Sequence, residues 1–437
     1  MPTTAKAIVR ARTKPLSRRR KFIFALAVSS LSTLVGLGVC EVVFRILEYR
    51  DVKQKIYQGD GGRWIADNRW GWKPSLGSFR TATSEFDVNG SINSLFMNDS
   101  PYNKNDDESC TRLLVLGDSH TYAIGVSTEQ TWAKVLQNKL NAAYSPNRFR
   151  TYNGGVVGYS MHQYLIRLID QGPELRPQYV ILGLSYATDL YDLLPPDRGG
   201  WIYGFNSARD YFDFDSRGEL VERHGNSVPA NGVGTQPITP AARVREILEY
   251  SATFRYLRRS KLALTFGSHV RIRGQSLWPN MDIVVEKKVS PEHEYQWRLF
   301  EALLAKTKAE CDRQGAKLIV VGIPYLPQVY DDIWNSTFGQ DQNNSRTAGA
   351  DRVAADCKKL GITYVDSLDA FQSKSKEVGR WLHYHKDAHP TPEGQEVIAD
   401  TIMQAGVIQA GTPQNPSTAL AASAQPNLLK RSSRAQH

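Results

Sequence analysis

Cysteine is scarce in this sequence, with four in 437 residues, and the positions of the four restrict what they could do. Cys40 lies at the end of an apolar run, which leaves Cys110, Cys311 and Cys357 for the rest of the chain. Three is an odd number, and no two of them form a CxxC pair, so neither a zinc site nor a disulfide framework is predicted. One disulfide among the three is left open, and we expect buried structural thiols instead.

Acidic residues are missing from both ends of the chain. Residues 1–21 contain eight Lys or Arg and no acid, and residues 411–437 contain three basic residues and no acid. The net charge of +10 therefore belongs to the two ends, and the long segment between them is nearly neutral. This distribution argues against a nucleic-acid partner, which would need a basic face on a folded domain. Residues 411–437 are rich in Ala, Ser, Pro and Gln and are predicted to be a disordered tail.

Long hydrophobic runs are scarce as well, since one stretch alone reaches the length that a bilayer requires. Residues 22–39 contain no charge, and four basic residues come directly before them. We predict a transmembrane helix at 22–47 and a cytoplasmic basic head at 1–21. A cleavable signal peptide is the alternative, because residues 25–27 (Ala-Leu-Ala) resemble a cleavage site that falls early in the run. The predicted location is the inner membrane of a bacterium, single-pass, with the remaining chain on the periplasmic side.

Two further segments differ in composition from the main domain. Residues 48–110 are rich in aromatic and turn residues, and short runs broken by Asn-Gly and Gly-Ser predict a small β-rich extracytoplasmic stem packed on the main domain. At about 190–289 the regular pattern lapses, and we predict an insertion over the edge of the sheet. Aromatic residues in it could form a sugar-stacking platform, although a small core of the insertion itself is the favoured interpretation: Trp201, Tyr203, Phe205, Tyr211 and Phe214.

From residue 111 to about 410, short apolar strands alternate with amphipathic helices. The strands are predicted at 113–116, in a short run ending at Tyr152, and at 179–185, 317–323 and 362–365. One helix is expected to be capped by Ser127 or Thr128, a long one by Ser290 with Gly315 at its end, and the last by Thr391. This alternation predicts an α/β fold with three α/β/α layers, flavodoxin-like in size, around about five parallel strands.

Polar residues that could take part in catalysis follow several of the predicted strands, at the edge of the sheet where α/β proteins bind their ligands. Gly117-Asp118-Ser119-His120 follows the first strand, a glycine-rich turn ending at Gly158 follows the second, and Thr188-Asp189 follows the third. Asp387-Ala388-His389 comes directly before the last helix. A serine hydroxyl becomes a nucleophile when an adjacent base takes its proton, and an imidazole oriented by a carboxylate supplies that base. We therefore predict Ser119 as nucleophile, His389 as base and Asp387 as the orienting acid.

These motifs resemble those of the SGNH (GDSL-type) hydrolase family, over about residues 111–410. GDSH resembles the first block of the family and its nucleophile, Ser119, and the closing Asp and His resemble the last block. NGGVVGYS resembles the second block, which implies that the N–H of Gly158 joins that of Ser119 in an oxyanion hole. The stem has a looser likeness, in RWGWKP and INSLFMND, to membrane-anchored bacterial members.

The sequence departs from the family pattern in two places. The third block usually ends in Asn-Asp, with the Asn donating to the oxyanion, and here the position is Thr188, whose shorter hydroxyl is the candidate donor. The last block is usually Asp-x-x-His, and here it is Asp-x-His. That tighter spacing is similar to the spacing in alginate-type O-acetyltransferases.

Each candidate residue also has a plainer interpretation. Asp387 could cap a helix, His389 could bond to backbone at the helix start, and Gly158 could be an ordinary turn glycine. His120 and His162 are expected to be structural. His383, His385 and His389 with Asp387 do not have a familiar metal-ligand spacing, so no metal and no cofactor are predicted.

The predicted function is a membrane-anchored serine esterase that cleaves acyl esters, with acetyl expected, through an acyl-serine intermediate. The expected partners are an acylated carbohydrate or lipid as substrate and the membrane through the N-terminal helix. One alternative is an O-acyltransferase modifying a cell-surface polysaccharide, which would need an acyl-donor membrane partner. The other is a non-catalytic carbohydrate-binding protein with the same fold.

Overall fold

The computed structural model describes residues 17–54, 56–59, 64–104, 110–145, 148–194, 209–225 and 281–410. Residues 1–16 of the predicted basic head and the predicted C-terminal tail lie outside the described residues, and Arg18–Lys21 of the head belong to the N-terminal helix. Most of the predicted insertion does too, including Trp201, Tyr203 and Phe205 of the suggested platform.

The N-terminal helix, α1, runs from Arg18 to Gln54, and as far as Lys53 it belongs to a different compact unit from the α/β domain. Its segment Arg18–Ile46, 29 residues long with a mean hydropathy of 2.1, is the one helix in the described ranges that is long and apolar enough to cross a membrane. At 1.5 Å per residue this segment is about 43 Å long, which exceeds the roughly 30 Å of a hydrocarbon core. By length and composition it fits a transmembrane span or a signal anchor.

The segment after this helix is β-rich and consists of small antiparallel sheets. One sheet has three strands in the order β1-β4-β5, and the other is a hairpin of β2 and β3. The strands are β1 (Ile56–Gly59), β2 (Trp64–Asp67), β3 (Gly71–Pro74), β4 (Gly77–Ala82) and β5 (Asp87–Ile92). β4 and β5 form a hairpin in which Ala82 pairs with Asp87, so residues 83–86 are its four-residue tip.

Five parallel strands form the central sheet, in the order β12-β11-β8-β6-β7. They are β6 (Thr111–Gly117), β7 (Phe149–Asn153), β8 (Tyr179–Ser185), β11 (Lys317–Ile323) and β12 (Thr363–Asp366). Because side chains alternate along a strand, Leu114 and Leu116 of β6 belong to one core and Leu113 and Val115 to the other. A sheet with both faces buried is the arrangement that the apolar strands predict, and the α/β/α fold class is confirmed.

Helices cover both faces of the sheet. They are α2 (Ser119–Tyr122), α3 (Trp132–Ala143), α4 (Met161–Leu175), α5 (Tyr186–Tyr191), α6 (Asp282–Val285), α7 (Pro291–Gln314), α8 (Leu326–Val329), α9 (Asp331–Thr337), α10 (Ala348–Lys359), α11 (Leu368–Val378) and α12 (Pro392–Ala405). α3 and α12 contribute to the core on one face, and α4 and α7 contribute to the core on the other.

The strand order places the end of β6 at a switch point in the sheet. The chain leaves β6, forms β7 on one side of it, and returns to form β8 on the other side. A crevice opens at such a point, outside the carboxyl ends of the strands, because the successive connections diverge to opposite faces. Ser119 lies two residues beyond the end of β6.

One predicted helix boundary is wrong. The helix expected to be capped by Ser127 or Thr128 is divided: residues 128–130 form a single 3₁₀ turn, and α3 begins at Trp132 with Thr131 as its cap. The Thr131 side chain accepts a hydrogen bond from the N–H of Lys134, as an N-cap does.

The described part of the insertion is an antiparallel hairpin of β9 (Tyr211–Phe214) and β10 (Leu220–Arg223). Phe212 is fully buried, and Phe214 contacts Tyr295 of α7 edge to face. The aromatic residues described here therefore pack onto the main domain, which agrees better with a core role than with a sugar platform.

The four cysteines all lie in the described part of the chain, and no disulfide joins any two of them. Cys311 in α7 and Cys357 in α10 are fully buried, and burial raises the pKa of each thiol to about 12. They therefore behave as small apolar side chains rather than as nucleophiles.

Candidate active site

Ser119 begins the short helix α2, immediately after the buried strand β6. Asp118 precedes it as the N-cap, and its carboxylate accepts a hydrogen bond of 2.9 Å from the N–H of His120. Six residues of β6 are buried, either in the apolar core or as polar groups. The packed strand therefore fixes the position of the backbone that leads to the serine. The serine itself is partly exposed at the edge of the sheet.

The structure brings together the three residues predicted as nucleophile, base and acid. Ser119 Oγ lies 2.8 Å from His389 Nε2, and His389 Nδ1 lies 2.5 Å from Asp387 Oδ1. An ionised carboxylate only accepts hydrogen bonds, so this arrangement favours the tautomer with the proton on Nδ1 and leaves Nε2 to accept from the serine. The side chains of His389 and Asp387 keep 16% and 26% of their surface exposed, so solvent reaches them.

The Asp-x-His spacing works because the chain turns at the residue between. Ala388 has a φ of +71°, a left-handed conformation that is uncommon for a residue with a side chain. The turn closes with backbone hydrogen bonds from Ala388 N to Tyr384 O, 3.0 Å, and from Tyr384 N to His389 O, 2.9 Å. Glycine is the residue that usually adopts a positive φ, and here the residue is an alanine. The sequence therefore gives no signal of this conformation, and sequence reasoning missed it.

The backbone N–H groups of Ser119 and Gly158 are the two predicted oxyanion donors. In the part of the chain that the structure describes, no hydrogen bond is formed by the N–H of Ser119 or by that of Gly158. Gly158 has a φ of +76°, and a Cβ there would come within 3.2 Å of the Trp72 ring. Trp72, from β3 of the stem, also donates from Nε1 to Val157 O at 2.8 Å and so fixes this turn. The positive φ and the close Trp72 ring therefore both favour glycine at the predicted oxyanion position.

Thr188 lies in α5 and makes a different contact from the one predicted. Its Oγ1 donates to Asp118 Oδ2 at 2.7 Å and lies 3.2 Å from the carbonyl of Ser185. A hydroxyl has one proton, so Thr188 cannot donate to an oxyanion while it holds Asp118. In this arrangement Thr188 steadies the carboxylate next to the nucleophile.

The carboxylates behind the serine are buried. Burial alone would raise the pKa of Asp118, but the neighbouring His120 and the hydrogen bond from Thr188 lower it. Burial and the charge of Asp118 raise the pKa of Asp189 well above its usual range, and Asp189 is bonded by Tyr164 and by the N–H of Ser185. Burial also raises the pKa of Asp192, to about 7. Asp118 therefore carries the charge in this group, Asp189 favours the protonated form at neutral pH, and Asp192, with its pKa of about 7, is divided between the two forms.

The other histidines make contacts that need no substrate. His120 is 2% exposed, has Nδ1 3.4 Å from Asp118, and lies with its ring 4.8 Å from that of His389. His162 accepts from the N–H of Phe212 at Nδ1 and lies 3.1 Å from Leu193 O at Nε2. His383 contacts the Tyr330 hydroxyl, and His385 stacks on Trp381. Over the described ranges, no three or more His, Cys, Asp or Glu side chains are grouped so as to hold a metal ion.

We expect the buried His162 to make stability depend on pH. Burial lowers the pKa of His162 to about 3, whereas an unfolded histidine titrates near 6.5. As the pH falls below about 6.5 the unfolded chain gains a proton that the folded protein does not, so the free energy of unfolding decreases. At pH 5 this loss is about 2 kcal/mol. His383, whose pKa burial also lowers to about 3, acts in the same direction, and Asp192 acts in the opposite direction.

The measurement is urea unfolding at pH 7 and pH 5 for the natural chain and for His162→Gln. The decrease in unfolding free energy between the two pH values should be about 2 kcal/mol smaller in the variant. His385→Gln, which removes an exposed imidazole, is the control and should leave the decrease unchanged. An equal decrease in His162→Gln and the natural chain would mean that folded His162 is protonated normally.

Comparisons with known proteins agree with the fold. A family model described as the SGNH hydrolase-like domain of acetyltransferase AlgX matches residues 285–431, a range that includes Asp387 and His389 but not Ser119. No curated protein sequence matches the chain. The family match covers about a third of the chain, and over that range the sequence is similar to an SGNH hydrolase-like domain. The likeness to AlgX confirms the predicted resemblance to the SGNH family and to alginate-type O-acetyltransferases.

Several solved structures are similar at low sequence identity. An acetylxylan esterase, Axe2 from Geobacillus stearothermophilus in a catalytic-mutant form, is 13% identical, with 70% of this chain and 97% of that chain covered and a TM-score of 0.35. Esterase EstA from a Pseudoalteromonas species is 12% identical, with 67% of this chain and 95% of that chain covered and a TM-score of 0.34. TesA is 14% identical, with 67% of this chain and 96% of that chain covered and a TM-score of 0.33.

Proposed function

We propose that this protein is a membrane-anchored, extracytoplasmic serine esterase that cleaves acyl esters, with acetyl as the expected acyl group. The observation that carries the proposal is the continuous path of short contacts from Ser119 through His389 to Asp387, 2.8 and 2.5 Å long. It lies at the carboxyl edge of a parallel sheet, where ligands reach α/β domains. The SGNH hydrolase-like fold supports the same class of chemistry.

In the first half of the reaction, Ser119 Oγ attacks the carbonyl carbon of the ester while His389 Nε2 removes its proton. Asp387 stabilises the imidazolium that forms, through the hydrogen bond at Nδ1. The tetrahedral intermediate then breaks its bond to the alcohol oxygen, which takes the proton from His389. The products of this half are the free alcohol and an acyl-Ser119 ester.

The second half repeats these steps with water. His389 removes a proton from the water as its oxygen attacks the acyl carbon, and the bond to Ser119 Oγ breaks. The proton returns to the serine, which releases the carboxylic acid and restores the starting state. In both halves the N–H groups of Ser119 and Gly158 are the proposed oxyanion donors, and each is expected to stabilise the tetrahedral intermediate by about 3 kcal/mol.

An O-acyltransferase is the second candidate, and the family match favours it because its description names an acetyltransferase. The first half of the reaction would be the same, and a sugar hydroxyl would replace water in the second. The chain itself has one membrane-spanning candidate in its described part, so an acyl donor would come from a membrane partner. For the esterase the proposed substrates are acylated cell-surface carbohydrates or lipids, whereas for the transferase a cell-surface polysaccharide is the acceptor.

Competition between water and a sugar separates the two candidates. The full-length protein in detergent would be given a chromogenic acetyl ester with and without an oligosaccharide acceptor, and both free acetate and acetylated sugar would be measured. An esterase should release acetate at a rate that the acceptor does not change. If acetylated sugar exceeds free acetate, the transferase is the correct function.

A third outcome of the same experiment would show that the protein is not an enzyme. If neither product forms and the protein still binds glycan, the chain is a carbohydrate-binding protein with an esterase-like fold, and the proposal fails.

A further inference from the structure

We propose that the tip of the β4–β5 hairpin is part of the active site, and that Glu85 is a positioning residue for the turn carrying Asp387 and His389. This inference rests on the proposed function, because it concerns the geometry of the same base and acid. Glu85 lies outside the α/β domain, in the β-rich segment that follows the N-terminal helix. Sequence reasoning assigned that segment no role in the chemistry.

The contacts of Glu85 are with the backbone of the Asp-x-His turn. Its carboxylate accepts hydrogen bonds of 3.0 Å from the N–H of Lys386, at both oxygens, and from the N–H of Asp387. Next to it, Ser84 Oγ accepts a hydrogen bond of 3.1 Å from Lys386 Nζ. A carboxylate that receives N–H groups from two successive residues fixes the direction of the chain at that point.

The tip that presents Glu85 is itself well defined. Thr83 Oγ1 accepts from the N–H of Glu85 at 3.1 Å and of Phe86 at 3.3 Å, and Thr83 N donates to Phe86 O at 2.7 Å. The two strands on either side pair directly up to the tip. Glu85 is therefore presented by a closed loop rather than by a free side chain on a mobile segment.

A second contact ties the same tip to the nucleophile side of the site. The Phe86 ring lies 5.0 Å from that of Tyr384, at the start of the turn, and the Tyr384 hydroxyl donates to Gly125 O at 2.8 Å. Gly125 has a φ of +87° and follows α2, the helix that begins with Ser119. A Cβ on Gly125 would lie 2.5 Å from the Tyr384 ring and 3.1 Å from Phe86, so these groups are closely packed.

The turn requires such support because its middle residue is in an unfavourable conformation. A positive φ at a residue with a side chain is unfavourable and persists where the surroundings enforce it. Glu85 binds the two residues directly before Ala388, and α12 begins shortly after. Removing the carboxylate should let the turn relax and move Asp387 away from His389 Nδ1.

The test compares variants of the full-length protein in detergent, with a chromogenic acetyl ester as substrate. In Glu85→Ala, kcat should fall by about 10- to 100-fold while KM changes little, because the base and acid are displaced and the substrate site is not. Glu85→Gln keeps a carbonyl acceptor of the same reach and should stay within about threefold of the natural chain. Glu85→Asp is shorter and should lie between these two values, and it decides the question if Glu85→Ala does not fold.

Asp87→Ala is the matched control, because it removes a carboxylate two residues along the same hairpin. Asp87 is exposed and pairs with Arg80, and it should not change kcat. The proton between His389 and Asp387 gives a far-downfield resonance in proton NMR when the bond is short, and we expect it in the natural chain and in Glu85→Gln but not in Glu85→Ala. A purely structural role for Glu85 would not remove that signal from the folded fraction.

The positioning role is overturned if Glu85→Asp and Glu85→Ala keep the kcat of Asp87→Ala, or if Glu85→Gln loses as much as Glu85→Ala. It is also overturned if the downfield proton survives in Glu85→Ala. Failure of the proposed function looks different: Ser119→Ala would then remain active. An inactive Ser119→Ala together with a fully active Glu85→Ala would remove only the inference about Glu85.

Discussion

Ser119→Ala should lower ester hydrolysis by about 10⁴-fold or more, the largest effect expected of any single substitution. The change removes one oxygen atom, the one that lies 2.8 Å from His389 Nε2 and would form the covalent intermediate. The serine begins a four-residue helix whose backbone contacts do not involve Oγ, so folding should be unaffected. Hydrolysis and the thermal midpoint would be measured on the same preparation.

Two further measurements make this result specific. A fluorophosphonate probe followed by peptide mapping should label Ser119 in the natural chain and give no label there in the variant. His389→Ala should lose a similar factor, and the double variant should be no worse than either single one, because the two groups act as a unit. Full activity in Ser119→Ala, or losses that multiply in the double variant, would contradict the assigned roles.

The second large effect is expected from Gly155→Ala, on stability and activity together. A Cβ at this position would lie 2.2 Å from Tyr122 N and 2.5 Å from the carbonyl carbon of Thr121, both in the backbone of α2. Backbone atoms cannot rotate away, so α2 or the glycine turn must shift. We expect a loss of about 3 kcal/mol in unfolding free energy and at least a 100-fold loss in kcat, since the shifted helix carries Ser119.

Urea unfolding and ester hydrolysis would measure the two losses. Gly38→Ala is the control, because it adds the same methyl group in the N-terminal helix, where nothing lies within 4 Å. A variant with normal stability and normal kcat would mean that the close approach of the glycine turn to α2 is not needed.

Much of the α/β domain could be predicted because its signals are local. The apolar runs 179–185 and 317–323 coincide with β8 and β11, since a short run of mostly apolar residues is typical of a parallel strand that is buried on both faces. The long helix starts after Ser290 and ends before Gly315, whose φ of +74° is the left-handed conformation that ends a helix. In each case the residues within a few positions determine the boundary.

Local signals misled where a distant residue decided the conformation. Asn89-Gly90 is the strongest short turn signal in the stem, yet both residues lie inside strand β5. Gly90 is needed there because the Phe79 ring of β4 covers it: a Cβ would lie 2.3 Å from Phe79 Cζ. The glycine therefore serves a close approach across the sheet rather than a turn, and no pattern within β5 shows this.

The same division holds in the candidate site. Ser119, Asp387 and His389 could be named from their motifs and from their order along the chain. Glu85 could not, because an acid at a hairpin tip has no distinguishing neighbours, and its contacts are with residues about 300 positions away. The bond from Thr188 to Asp118 was also missed, since it depends on how α5 lies beside β6.

The separation of 270 residues between Ser119 and His389 has a consequence for the time at which activity appears. A chain that is made from its amino end contains the serine long before the imidazole has been added. Contacts so distant in sequence form late in folding, after the loop between them has closed. Unfinished chains are therefore expected to lack a base at Ser119, and the serine should become reactive towards a fluorophosphonate probe only after the turn before α12 has docked.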